Sequence, residues 1–149
     1  MKKLVIIGAN DFQNQLILKA KSLGYETHVF AWEEGAVGKS TADYFYPISI
    51  VEKEEILDKC KQIKPDGVCS IASDLASITV NYVAENLGLP CNKMKYSAIQ
   101  TNKYKMREAF MAAGLPCPKF VLADENFDES QVKDFKFPII VKPTDRSGS

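Results

Sequence analysis

The feature that most constrains this chain is an alternation of two hydrophobic periods near its start. Residues 4–8 (LVIIG) form a short β-branched run closed by glycine, the pattern of a strand buried on both faces. After the polar pair Asn10-Asp11, Phe12, Leu16, Ala20 and Leu23 recur at helical spacing, and Gly24 stands where a helix ends. Residues 26–32 (ETHVFAW) supply a second strand. A strand, a helix and a strand in so few residues imply a right-handed crossover and parallel pairing.

The same alternation continues. Residues 44–49 read as a third strand, with Pro47 tolerated near an edge or end. Residues 52–63 read as a surface helix whose apolar side carries Ile56, Cys60 and Ile63. Residues 67–71 (GVCSI) read as a fourth strand. Ser73 or Asp74 caps the next helix, along which Ala76, Val80, Val83 and Leu87 align. That helix leaves through Leu87-Gly88-Leu89-Pro90, glycine ending it and proline preventing its resumption.

Beyond this point the rhythm changes. A helix carrying Met106, Ala109, Phe110 and Ala113 exits in the same way, through Gly114-Leu115-Pro116. Residues 120–122 and 138–142 (PIIVK) then read as strands of another unit, and the acidic stretch 124–129 as a surface turn or short helix start. The expected division is residues 1–93, an open parallel α/β domain, and residues 94–149, the beginning of a second. The last residues, Pro143-Thr144-Asp145-Arg146-Ser147-Gly148-Ser149, are small and polar with no closing element, so the sequence is expected to be incomplete there.

Charge and cysteine content narrow the function classes. Nineteen basic residues balance nineteen acidic ones, so no long-range field draws the chain to nucleic acid or an anionic membrane, and an anionic ligand must be held by local groups. The apolar runs are strand-sized, too short for a bilayer span, and Met1-Lys2-Lys3 is not followed by a signal-peptide pattern. Cys60, Cys69, Cys91 and Cys117 lack CxxC spacing and have no histidine near them, and His28 is the only histidine. They read as reduced thiols of a cytoplasmic protein, and no metal site is expected among the residues present. An uncovered sheet edge or face leaves a homo-oligomer open.

The first turn, Gly8-Ala9-Asn10-Asp11, has only the first glycine of a dinucleotide fingerprint, and Asp11 sets a negative charge where a pyrophosphate would sit. Glu33, after the second strand, stands roughly where a ribose-binding acid is expected, but one acid there is common. The turn still suits a small polar substrate, so Gly8 and Asn10 are candidate substrate contacts. Ser73 and Asp74 join them because ligands of open α/β sheets bind outside the carboxyl ends of the strands. There is no GxxxxGK[ST] loop and no GxSxG elbow. Lys103 begins a helix, where a cation is unfavourable unless an anion joins it, and Lys142 ends an apolar strand.

Residues 137–149 (FPIIVKPTDRSGS) resemble the ATP-grasp superfamily, in which a strand ending in lysine leads into a glycine- and serine-rich phosphate loop. Thr101-Asn102-Lys103, the helix after it and Ala113-Gly114-Leu115-Pro116 resemble that family's earlier lysine, helix and exit. The opening unit with Leu87-Gly88-Leu89-Pro90 is similar to the preceding domain of carbamoyl-phosphate synthase-like and biotin carboxylase-like members. The resemblance covers essentially the whole chain. It implies an α/β fold: an open parallel Rossmann-like (pre-ATP-grasp) domain followed by the start of an ATP-grasp α+β domain.

It further implies ATP as cofactor, with Lys142 on the α- and β-phosphates and Lys103 as the second phosphate lysine. Ser147, Gly148 and Ser149 would open the loop over the β- and γ-phosphates. The implied activity is that of a ligase that activates a small carboxylate as an acyl phosphate for attack by an amine or other nucleophile. Mg2+ would be held by residues farther along than 149, and the 149 residues alone are expected to be inactive. The competing reading is a non-catalytic binding or regulatory α/β module. Which carboxylate and nucleophile are joined is not legible in these residues.

Overall fold

In a computed structural model of the chain, residues 1–145 are described. Two compact units are present, Met1–Ser97 and Ala98–Ser149.

The first unit runs β1 (Lys3–Ile7), α1 (Asp11–Ser22), β2 (Glu26–Phe30), β3 (Tyr44–Tyr46), α2 (Lys53–Ile63), β4 (Gly67–Cys69) and α3 (Asp74–Asn86), with 3₁₀ turns at Val37–Ser40 and Met94–Tyr96. The four strands form one parallel sheet in the order β3-β2-β1-β4. Val5 of β1 stands opposite His28 of β2 and Val68 of β4. The pleat sends successive residues to opposite faces. Val5 and Ile7 therefore join Phe30, Val68 and the inner sides of α2 and α3 in one core. Ile6 and Val29 face the other way, onto Ile17 and Ala20 of α1. Both faces are covered, as a parallel sheet requires.

The helix endings follow the sequence closely. Gly88 and Gly114 have positive φ, 69° in each case, which glycine adopts without a Cβ clash. The N–H groups of Leu89 and Leu115 then fold back onto the carbonyls of Ala84 and Phe110, at 2.8 and 2.9 Å. Each leucine closes its helix with the hydrogen bond that defines a Schellman exit.

Two expectations for the first unit are corrected. The buried stripe of α1 is Gln13, Ile17 and Ala20, while Phe12 and Leu23 are 66% and 62% exposed. A glutamine takes the inner position because its amide is satisfied by hydrogen bonds at both ends, turning the helix by one residue from its most apolar orientation. β2, β3 and β4 are also shorter than the runs read from sequence, ending at Phe30, Tyr46 and Cys69.

The second unit contains most of α4 (Ser97–Thr101), α5 (Lys103–Ala112) and a 3₁₀ turn at Glu129–Val132. Asp128 caps that turn through a reciprocal bond with Gln131, so the acidic stretch is indeed a surface helix start. Residues 120–122 and 138–142 are not strands, contrary to expectation. A strand needs a second backbone to take up its N–H and C=O groups, and the described residues of this unit present no ladder. Ile140 and Val141 are 87% and 83% exposed.

Candidate functional site: a cleft at the carboxyl edge of the sheet

In the order β3-β2-β1-β4, the chain leaves β1 for β2 on one side and later returns to β1's other side as β4. The neighbouring crossovers lie on opposite faces, so the loops after β1 and β4 part and leave a crevice at the carboxyl edge.

Gly8 turns the chain after β1 with φ 100°, and its N–H donates to the Phe30 carbonyl at 2.8 Å. A Cβ at this position would lie 3.0 Å from the Gln13 side chain. Asn10 caps α1: its Oδ1 accepts from the N–H groups of Phe12 and Gln13, and Gln13 Oε1 accepts from Asn10 N–H. Gln13 Nε2 donates to the Ile71 carbonyl in the loop after β4. In that loop Ala72 has φ 55°, a left-handed conformation that costs a non-glycine residue of order 1 kcal/mol. Ser73 follows as the cap of α3, its Oγ accepting from Ala76 N–H at 3.1 Å.

The resulting cleft holds about 210 Å³. It is lined by Gly8 and Asn10 after β1, Trp32 and Glu34 after β2, Ser49 after β3 and Ser73 before α3. Its volume is below the ~300–1,000 Å³ of sites that enclose drug-sized molecules, so it suits a small ligand. The wall after β2 is pinned where Gly38 N–H donates to the Ala9 carbonyl at 2.8 Å. Gly38 is buried, and a Cβ there would sit 2.5 Å from Ile17 Cδ1.

The cleft thus brings together Gly8, Asn10 and Ser73, but not Asp74, which starts α3 half-buried outside the lining. Sequence reasoning missed Trp32 and Glu34 as cleft residues. The signal was available, since both follow β2 at the same carboxyl edge. Glu33, singled out from its position, instead pairs with Lys39 at 2.5 Å.

Other reactive groups belong to the packing. Burial pushes the Cys60 thiol up to about 12 and the Cys69 thiol to about 11, so neither is a nucleophile at neutral pH. His28 stacks on Tyr44 and lies within hydrogen-bond distance of Tyr46 Oη and Glu26. Among the described residues, no three His, Cys, Asp or Glu side chains converge to hold a metal ion. No helix among them is long and apolar enough to cross a membrane.

In the second unit, Lys103 opens α5 behind the cap Asn102, whose side chain accepts from Lys105 N–H at 3.0 Å. The Lys103 N–H donates to the Thr144 carbonyl at 2.7 Å, which brings the segment after Lys142 to the amino end of α5. Lys142 is exposed. Ser147, Gly148 and Ser149 lie outside the described residues.

No family model matches the chain. Curated relatives do. The chain is 27% identical over 146 residues to the formate-dependent phosphoribosylglycinamide formyltransferase of Prochlorococcus marinus, covering 95% of this chain and 37% of the relative. It is 37% identical over 75 residues to D-alanine–D-alanine ligase B of Chromobacterium violaceum, covering 48% of this chain and 24% of that one. The solved phosphoribosylglycinamide synthetase of Anaerococcus prevotii superposes with a TM-score of 0.75 at 27% identity, covering 97% of this chain and 37% of that structure. An ADP complex of an N5-carboxyaminoimidazole ribonucleotide synthetase shares the fold, with a TM-score of 0.63 at 20% identity over 77% of this chain and 30% of that one.

The class is therefore a mixed α/β chain similar to the amino-terminal part of ATP-dependent ligases. Its homologues are ATP-grasp ligases, and it spans about 37% of the length of the first curated relatives.

Proposed function

We propose that the chain forms the first domain and the entry to the nucleotide-binding domain of an ATP-dependent ligase in the cytoplasm. Residues 1–93 would be the pre-ATP-grasp domain and residues 94–149 the start of the ATP-grasp domain. The ligase activates a small carboxylate as an acyl phosphate, which an amine or other nucleophile attacks. Lys103 and Lys142 are assigned to the ATP phosphates, and Ser147, Gly148 and Ser149 to the loop above them.

The observation that carries this reading is the hydrogen bond from Lys103 N–H to the Thr144 carbonyl. It brings together two segments, 39 positions apart in the chain (142 − 103), that carry the two lysines assigned here to one polyphosphate. The match to ligases over 95% of the chain supports it independently. Among the residues present, the phosphate charge is assigned to these two lysines. Gly8, Asn10 and Ser73 are assigned to the substrate side. Asp74, outside the cleft lining, is retained only as a neighbour of Ser73.

The test is calorimetric titration of ATP into the protein expressed with whatever coding sequence follows residue 149. Lys142→Ala is expected to weaken binding about tenfold, about 1.4 kcal/mol. ATP binding that ignores both Lys142→Ala and Lys103→Ala would overturn the assignment.

A further inference from the structure

His28 is the only histidine in the chain, and it is buried in the first unit with both ring nitrogens occupied. Nε2 lies 2.8 Å from Glu26 Oε1, and Nδ1 lies 3.0 Å from Tyr46 Oη. An ionised carboxylate can only accept, so Nε2 carries the ring proton. Nδ1 of the neutral ring is then an acceptor, and the Tyr46 hydroxyl donates to it. Burial first, then Tyr44, Cys60 and Glu26, raise the Tyr46 phenol above its ordinary value, so it keeps the proton it donates.

A second proton on His28 forces a rearrangement. The imidazolium donates from both nitrogens, so Nδ1–H points at Tyr46 Oη and the phenolic hydrogen has to turn away. The surrounding charges make this more than a rotation. Lys3 of β1 stands 4.0 Å from Glu26 Oε1 and competes for the same carboxylate. Lys59 of α2 holds its ammonium over the Tyr46 ring, 5.3 Å from the centroid, while Cys60 of the same helix is kept a neutral thiol by burial. From β3, Tyr44 and Tyr46 stack on His28 at 4.7 and 6.0 Å between ring centres. A charged His28 therefore brings a second cation to the Tyr46 ring, where the Lys59 ammonium already stands.

Tyr46 is connected to the cleft in two ways. Its carbonyl accepts from Ala31 N–H at 3.3 Å and from Ile48 N–H at 2.8 Å. Trp32 follows Ala31, and Ser49 and Ile50 follow Ile48. Ala31, Trp32, Ser49 and Ile50 all line the cleft. We infer that protonation of His28 is a switch, which reverses the hydrogen bond to Tyr46 and, through the Tyr46 carbonyl, shifts the cleft margin that bears Trp32. The device is independent of the ligase reading and of what the cleft binds.

His28 and Trp32 are the only histidine and the only tryptophan, so each end of the switch has its own signal. Long-range 1H–15N NMR spectra of the chain are expected to show the Nε2–H tautomer for neutral His28. Lowering the pH across about 8 to 5, the range in which imidazole takes up its proton, should shift Trp32 emission with the midpoint that NMR gives for His28. Tyr46→Phe keeps the ring, and with it the stack on Phe30, but removes the hydroxyl. In that variant His28 should still titrate while Trp32 loses its response. The Nδ1–H tautomer, or emission that stays flat while His28 charges, overturns the inference. So does a His28 that takes up no proton in this range. An emission change that persists unaltered in Tyr46→Phe also overturns it, and assigns the response to Glu33 and Glu34 beside Trp32.

Discussion

The two units use similar residues to different ends. In the first, Val5, Ile6 and Ile7 are fully buried between helices on both faces of the sheet. In the second, an equally apolar run, Ile139-Ile140-Val141, lies exposed, and among the described residues every buried one falls at or before Ala84. Apolar side chains stabilise a fold only where other groups remove them from water, about 25 cal/mol for each Å² covered. β1 has strands on both sides and helices on both faces, whereas residues 139–141 have no ladder among the described residues.

The largest effect that tests this contrast comes from paired truncations. Phe30 is fully buried and stacks on Tyr46 at 4.6 Å between ring centres, so Phe30→Ala should destabilise the first unit by about 3–5 kcal/mol. Ile140→Ala should change stability by less than about 0.5 kcal/mol. Urea unfolding of both variants measures the difference, and equal losses would show that residues 139–141 are packed in solution. A smaller effect is expected at the wall of the cleft. Gly38→Val must push Ile17 aside, costing about 1–3 kcal/mol, and should shift Trp32 emission before any unfolding occurs. Unchanged emission and stability would mean that Gly38 is not what holds that wall.

The smallest effect is one of pH. The Asp43 carboxylate is held at about 2, against an ordinary 3.8, first by its bond from Lys21 and then by bonds from Thr27. Its folded value is depressed, so its contribution is complete above about 4 and is lost as pH falls towards about 2. The thermal midpoint of the first unit should decline across that window, and Asp43→Asn should flatten the decline. The same slope in wild type and Asp43→Asn would assign the acid sensitivity to other carboxylates.

Much of the first unit was legible because each strand–helix step carries its own period and its own stop. The Leu-Gly-Leu-Pro exit at 87–90 is an example, since glycine and proline act through local sterics alone. α1 was misread by one residue because hydrophobicity treats Gln13 as polar, while its two amide bonds make it an inside residue. Residues 138–142 were read as a strand from composition, but a strand is completed by a neighbour that no local pattern supplies. In the cleft, Gly8, Asn10 and Ser73 were visible as turn and cap residues. Trp32 and Glu34 were not, because only the strand order reveals which loops converge.

One contact described above governs how such a cleft could adapt. The Gln13 side chain stitches the turn after β1 to the loop after β4, spanning 58 positions of sequence with a single amide. The floor is thus one piece, and a ligand cannot spread these two loops without cutting that stitch. Adjustment to an occupant would fall to the margin after β2, where Trp32 and Glu34 stand before the clasp at Gly38. Selectivity in this unit would then change through the margin while the floor stays fixed.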